Sequence, residues 1–238
     1  MRLLAFSLSL ATLGSASFWA LTAGPLAPTA EHPVEALQPV AAADGWSSDT
    51  TAPGGPSPSP VAPPRTIRPR VSTRTYAVTG TTEREVLRSL LDAGPRDGDD
   101  IFFGLTQTEL DVRYEPTAIS GGCVIRDTEV DLDIVITLPE WLPATDLALD
   151  LQSDWRRFRR ALEAHEDRHR AIAVEGAERA FDAVAELYRP SCEEADSEAR
   201  RRLEVLGVEI KAEHRRFDQE TGHGKTDGAV WPVQKRTR

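Results

Sequence analysis

Cysteine and lysine are both scarce in this chain of 238 residues. The first of two cysteines is Cys123, which excludes a lipid-modified cysteine near the N terminus. Lysine is nearly absent while arginine is abundant, which we interpret as genomic base composition. The formal net charge of -10 argues against nucleic-acid binding, because phosphate contacts require a basic face.

The N-terminal segment contains an uncharged stretch at residues 3–23, which follows the single basic residue Arg2. This is the arrangement of a secretory signal peptide, and Ala23 and Gly24 offer small residues for cleavage. The stretch is also long enough to span a bilayer if it is not cleaved. We therefore expect export to the periplasm, cell envelope or exterior, with residues 1–23 as signal peptide or membrane anchor.

A Pro/Ala/Ser-rich segment follows at residues 24–73, with "APGGPSPSPVAPPR" at its centre. Such a composition buries too little apolar surface to offset the entropy of ordering the chain. We predict a disordered, semi-extended linker in front of one domain at residues 74–233. A plain tether is the simplest role for the linker, and a polyproline ligand is the alternative.

Both cysteines, Cys123 and Cys192, lie inside the predicted domain. In an exported chain an even pair favours a disulfide over a metal site, and two free buried thiols are the alternative. The bridge would close a loop of roughly 70 residues and contribute on the order of 4 kcal/mol to stability.

Apolar residues alternate along residues 123–141 and predict a strand. Glu129, Asp131 and Asp133 lie on its opposite face; we call these three residues the acidic row. Such a row is typical of a solvated sheet face, and a site for calcium or a basic substrate is the alternative.

Helical periodicity begins at Trp155, continues to Tyr188, and resumes from Glu193 to Phe217. We expect Pro190 to close the first helix. The combination predicts an α+β fold, in which a small, mainly antiparallel sheet packs against a C-terminal helical hairpin.

The first of these helices carries "HEDRH", from His165 to His169. Residues four apart lie on one helix face, so both imidazoles can bind one ion while Glu166 lies beside it. This is the arrangement of a zinc site in which the glutamate is the general base. Two histidines packed in the core are the alternative.

A catalytic zinc needs a third protein ligand. If the chain reverses near Pro190, the second helix returns antiparallel and brings His214 and Asp218 level with the two histidines. His223 follows in a glycine-rich turn, where backbone can approach an ion closely. The residues alone leave these three candidates open.

Several segments resemble an uncharacterised bacterial family described as predicted secreted zinc-dependent proteases. The similarity runs from Tyr76 to Pro232. It covers "YAVTG", "AGPRDGDDIFFGLTQ", Cys123 before an alternating strand, "LPEW", "HEDRH" with its preceding Trp, Phe and Leu, and "FDQETGHG". The resemblance implies zinc at His165 and His169 and a catalytic role for Glu166.

The closing motif of that family matches at Phe217, Asp218, Thr221, His223 and Gly224. The match implies His223 as the third zinc ligand in preference to the histidine at position 214. The aspartate is a further candidate, either as a ligand or as a carboxylate that orients one.

We therefore expect a secreted or envelope-tethered zinc metallopeptidase in which Glu166 takes a proton from zinc-bound water and passes it to the leaving amine. A peptide or protein substrate could dock along the outer edge of the strand ending in "LPEW". Candidate oxyanion donors are Tyr114, Arg168 and His214. One alternative is hydrolysis of peptidoglycan amide bonds, and another is a non-catalytic envelope binding or scaffold domain whose structural metal is held by four histidines.

Overall fold

The structure is a computed structural model and describes residues 4–11, 65–142 and 148–233. Within these residues most strands precede the two long helices along the chain. They are β1 (Leu4–Ala11), β2 (Thr66–Val78), α1 (Glu83–Ala93), β3 (Arg96–Asp97), β4 (Asp100–Ile101), β5 (Leu105–Ile119), β6 (Gly122–Trp141), α2 (Leu149–Val184), β7 (Tyr188–Arg189) and α3 (Cys192–Thr221).

The main sheet has the strand order β1-β5-β6-β2. β5 is antiparallel to both β1 and β6, whereas β2 is parallel to β6, and the short β7 adds an antiparallel pair to β6. The predicted alternation along β6 is confirmed, because its apolar residues Val130, Leu132 and Ile134 are buried. The α+β class is confirmed, with a mixed sheet packed by two long C-terminal helices.

The pairing of strand β6 bears on two expectations. This strand pairs with β2 from Glu129 to Trp141 on one side and with β5 as far as Thr137 on the other. At "LPEW", residues 138–141, β2 occupies one edge, and the predicted docking of a peptide there stays a prediction for the other edge. The second expectation concerns residues 66–73, which were predicted as linker and instead form the first part of β2.

The acidic row on β6 is neutralised by arginines from the neighbouring strands. Arg68 and Arg70 on β2 and Arg113 on β5 pair with its carboxylates, at distances that include 2.8 Å for Arg68–Glu129 and 2.6 Å for Arg70–Asp133. Arg113 also reaches both Glu129 and Asp131. The row is therefore an ion-paired sheet face, and this pairing favours the structural interpretation over a calcium site.

Strand β1 falls inside the segment predicted as a signal peptide or anchor. Residues Leu4–Ala11 form an edge strand, not part of a spanning helix. Across 4–11, 65–142 and 148–233, no helix is long and apolar enough to cross a membrane. The rest of the predicted signal, and the linker up to residue 64, lie outside the described residues, so export stays a prediction.

The two long helices form the predicted antiparallel hairpin. They approach closely at Gly176, where an added Cβ would lie 2.7 Å from the Ile210 side chain. Arg179 reinforces the contact with a bidentate ion pair to Glu213 at 2.9 and 2.8 Å. Helix α2 ends at Val184 rather than at the proline of residue 190, because the chain leaves it to form β7.

Two further contacts fix the ends of the hairpin. The predicted disulfide joins Cys123 on β6 to Cys192 at the start of α3, with the Cα atoms 5.0 Å apart. After α3, Trp231 packs against Trp155 and Phe158 on α2, with ring centroids 5.7 and 5.6 Å away. The disulfide thus ties the start of α3 to the sheet, and the tryptophan contacts hold the C-terminal turn against α2 about two to three helical turns before His165.

Candidate metal centre

Three buried side chains meet between α2 and α3: His165, His169 and Asp218, which we call the His/Asp cluster. The Nε2 atoms of the two histidines lie 3.3 and 2.9 Å from Oδ1 of the aspartate. One ligand atom from each residue lies within 4.8 Å of the other two. The side chains are at most 5% exposed. This cluster could bind a metal ion.

The spacing in the cluster fits a small tetrahedral ion. Ligand atoms about 2.1 Å from such an ion are separated by about 3.4 Å, and two of the separations here are 3.3 and 2.9 Å. Within the described residues, His165 Nδ1 and Asp218 Oδ2 are buried without a hydrogen-bond partner. Buried polar atoms are normally satisfied, so the unpaired carboxylate oxygen favours a missing partner.

The pKa values of Asp218 and the adjacent His214 favour cation binding at the cluster. Burial alone would raise the pKa of Asp218, but hydrogen bonds from His165 and His169 outweigh burial and lower that pKa to about 2. Burial lowers the pKa of the adjacent His214 to about 4. At neutral pH Asp218 is therefore an ionised carboxylate, the form in which an aspartate binds a metal, and His214 beside the cluster is neutral.

Neighbouring residues hold the two imidazole rings in place. Phe217 stacks on His165 at 4.8 Å and meets His169 edge-on at 5.1 Å. Gly224 has a φ of +77°, and a Cβ added there would lie 3.0 Å from Cγ of His165. A side chain at position 224 would therefore be strained and would press on the ring.

Glu166 is buried beside the cluster, at the end of the sheet. Its Oε2 accepts a hydrogen bond of 2.8 Å from the hydroxyl of Thr106, the second residue of β5. A Cβ added to Gly104 would lie 2.6 Å from Oε1, so a side chain at this position would have to shift the carboxylate. Burial raises the pKa of Glu166, while the charge of His169 and the Thr106 hydrogen bond oppose that increase.

The two remaining histidines lie around the cluster. Nδ1 of His214 is 2.9 Å from Nδ1 of His169, on the opposite side of that ring from Asp218. His223, implied as third ligand by the resemblance, is 27% exposed, and its Nδ1 is 3.7 Å from Oδ1 of the aspartate. Asp218, one of the alternatives, thus lies together with the two histidines in a group that could hold a metal ion, and His223 lies beside that group.

The three candidate oxyanion donors lie at different distances from the His/Asp cluster. Tyr114 donates to Asp196 near the start of α3. Because Asp196 and Asp218 are 22 residues apart on one helix, about 33 Å separates that contact from the cluster. Arg168 is half-exposed and pairs with Glu175 at 3.3 Å. Of the three candidates, His214 contacts the cluster directly.

Sequence reasoning missed Gly104 and Thr106, which position Glu166. Both lie in "IFFGLTQT", in which Gly104 breaks a run of strand-forming residues. What that break is for depends on a contact 60 residues away along the chain, which no local pattern encodes.

The model of a family described as a bacterial protein of unknown function, DUF922, matches residues 73–224. The match covers more than half of the chain and includes every member of the His/Asp cluster, Glu166 and the disulfide cysteines. No curated protein and no solved structure matches the chain.

Proposed function

The chain belongs to the DUF922 family of bacterial proteins of unknown function, and we propose that it is a zinc-dependent hydrolase, most specifically a metallopeptidase. The observation that carries this proposal is the buried Glu166 beside the His/Asp cluster. A carboxylate in that position is otherwise costly to bury, and Thr106 satisfies one of its oxygens.

The donor set supports a catalytic rather than a structural metal. Catalytic zinc sites use three protein ligands and leave a position open, whereas structural sites are closed by four. His214 contacts the nitrogen of His169 that faces away from Asp218, so it is better suited to orienting that ring than to closing the site. This argues against the scaffold alternative with four histidine ligands.

His165, His169 and Asp218 would hold the zinc ion, which would supply a Lewis acid to polarise a carbonyl and to lower the pKa of water. Glu166 is the proton carrier in this proposal. Its carboxylate takes a proton from the attacking water and delivers it to the leaving amine. Burial, which raises the pKa of this group, makes it a stronger base once it is ionised.

The test compares Glu166→Gln with Glu163→Gln. Glu163 lies one helical turn earlier and is exposed, with an ion pair to Arg159 at 3.2 Å, so it is a matched control. We expect Glu166→Gln to keep zinc and fold but to lose hydrolysis of a broad quenched-peptide pool by roughly 100-fold or more. The control should retain both properties.

Two results would overturn the proposal. One is equal hydrolysis by both variants. The other is zinc-loaded wild-type chain that cleaves no peptide in the pool. Release of amines from purified peptidoglycan by that same chain, blocked by Glu166→Gln, would instead assign the proposed chemistry to envelope amide bonds.

The cellular setting also belongs to this proposal. The residues predicted as a signal peptide and the disulfide at Cys123 and Cys192 both support an exported enzyme, because disulfides persist in oxidising compartments. The proposed substrate is a peptide or protein outside the cytoplasm.

A further inference from the structure

Strand β1 covers the edge of β5 that leads to the candidate metal centre. The two strands pair antiparallel over eight residues, from Leu4 opposite Tyr114 to Ala11 opposite Gln107. Gln107 directly follows Thr106, whose hydroxyl binds Glu166. The end of β1 therefore lies one residue along β5 from the side chain that holds the proposed base.

We propose that this edge of β5 is the binding site for an extended peptide substrate, and that Leu4–Ala11 fills it until the N-terminal segment is removed. The other edge of β5 is paired with β6 throughout, so this is the edge at which a peptide can add to β5. An uncovered strand edge of this length presents a row of backbone donors and acceptors to a pairing chain.

The register specifies the chemistry of the peptide. Four residues of β5 opposite β1 are buried: Thr108, Leu110, Val112 and Tyr114. Their partners in β1 are all apolar, namely Leu10, Leu8, Phe6 and Leu4 in the same order. Small residues, Ala and Ser, alternate with them. Buried residues alternate with more exposed ones along this part of β5, so the edge fits a peptide with an apolar residue at every second position.

The direction of pairing specifies which part of the substrate binds. Because β1 runs antiparallel to β5, its C-terminal end at Ala11 is the end near Thr106 and Glu166. A substrate in the same orientation places its residues N-terminal to the scissile bond along β5. Its reacting carbonyl then follows the last paired residue.

The segment that fills the edge is also the segment predicted to be removed. Residues Leu4–Ala11 lie within the predicted signal peptide, whose expected cleavage site follows at Ala23. Cleavage at that site would take β1 away and leave residues 107–114 of β5 unpaired on this side. The same event that releases the exported protein would therefore open its substrate edge.

The role of the bound peptide as substrate rests on the proposed function, but its binding does not, so the test measures binding in the presence of a chelator. A specific protease site is inserted within residues 24–64 of the full chain. The folded protein is cut at that site, and excess labelled peptide is added to replace the released N-terminal segment. The probe is a fluorescent peptide of sequence LAFSLSLA, and binding is followed by anisotropy. The uncut chain is the matched control.

We expect the cut chain to bind the peptide at least tenfold more tightly than the uncut chain. A peptide with the same residues in an order that breaks the alternation should lose this binding. N-methylation at alternate residues should abolish binding for one set of positions and spare the other, because only one edge of the peptide faces β5.

A second variant guards against damage caused by cutting. Leu8→Pro combined with Ser9→Pro in the uncut chain removes two successive backbone donors from β1, and this variant should bind the peptide as the cut chain does. Equal affinity of cut and uncut wild-type chains, equal binding of the reordered peptide, or equal effects of both N-methylated sets would overturn the proposal. If the Glu166→Gln test contradicted the proposed hydrolase activity, the peptide-binding results expected here would not change.

Discussion

The acidic row and the His/Asp cluster both gather ionisable side chains, and they differ in whether their polar atoms have partners. On the sheet face, each carboxylate of the row lies within ion-pair distance of an arginine from β2 or β5. Between the helices, the Asp218 Oδ2 atom is buried with no partner among the described residues. The comparison teaches that a cluster of charged side chains does not by itself indicate a ligand site. Buried polar atoms without partners are the better indicator.

The effect of zinc on Tm should give the largest difference between variants in the two regions. A ligand at about 1,000 times its dissociation constant stabilises the folded state by about 4.1 kcal/mol, provided it does not bind the unfolded chain. We expect a corresponding rise in Tm on zinc addition to the chelated wild type, measured by differential scanning calorimetry. His169→Ala should remove the rise, whereas Asp131→Asn in the acidic row should keep it. A rise of the same size in His169→Ala would place the zinc elsewhere.

Gly104→Ala tests the positioning of the proposed base without touching the cluster. The new methyl group would lie 2.6 Å from Oε1 of Glu166 and must displace it. Because misplacement of a reacting group by about 1 Å can reduce a rate about 100-fold, we expect a loss of that size in peptide hydrolysis. The zinc content should stay at the wild-type value. Unchanged kcat with unchanged zinc would contradict the role assigned to this carboxylate.

Asp131→Asn tests the acidic row where it is most buried. The side chain of Asp131 is 8% exposed and pairs with Arg113 and Arg70. Hydrogen bonds to charged groups contribute about 1.5–3 kcal/mol, so we expect the free energy of unfolding to fall by about that amount in urea denaturation. Zinc affinity should not change. A loss of zinc with no loss of stability would reverse the roles of the two regions.

Acid titration of Glu129 should give the smallest effect. Hydrogen bonds from Arg68 and then Arg113 lower the pKa of this carboxyl to about 2, from an ordinary value near 4.5. Its contribution to stability is therefore complete above about pH 4.5 and is lost as the pH falls towards 2. The side chain is 37% exposed, so the contribution should be under about 1 kcal/mol. Comparing wild type with Glu129→Gln in urea at pH 7, 5 and 3 measures it, and a difference that grows on acidification would contradict the assignment.

Local patterns were sufficient for part of the fold and of the site. Helical periodicity and the reversal near residue 190 predict an antiparallel hairpin, and the structure brings His214 and Asp218 level with "HEDRH" in the predicted way. The alternation along β6 predicted its buried face, and two cysteines in one domain predicted the bridge.

The rest depended on contacts that are distant along the chain. The positions of Asp218 and His223 relative to the two helix histidines depend on how the chain leaves α3, where Gly222 and His223 both have positive φ. The parallel pairing of β2 with β6 closes an edge that local alternation could not show to be occupied. The uncharged stretch that contains β1 has the composition of a signal peptide, and its pairing with β5 is a long-range feature.

The most direct test of the central claim is the zinc content of the full chain by elemental analysis, for wild type, Asp218→Ala and His223→Ala after chelation, zinc loading and removal of free metal. We predict one zinc per chain in the wild type and in His223→Ala, and none in Asp218→Ala. Absence of stoichiometric zinc in the wild type, or its retention in Asp218→Ala with loss in His223→Ala, would contradict the assignment of the His/Asp cluster as the metal site.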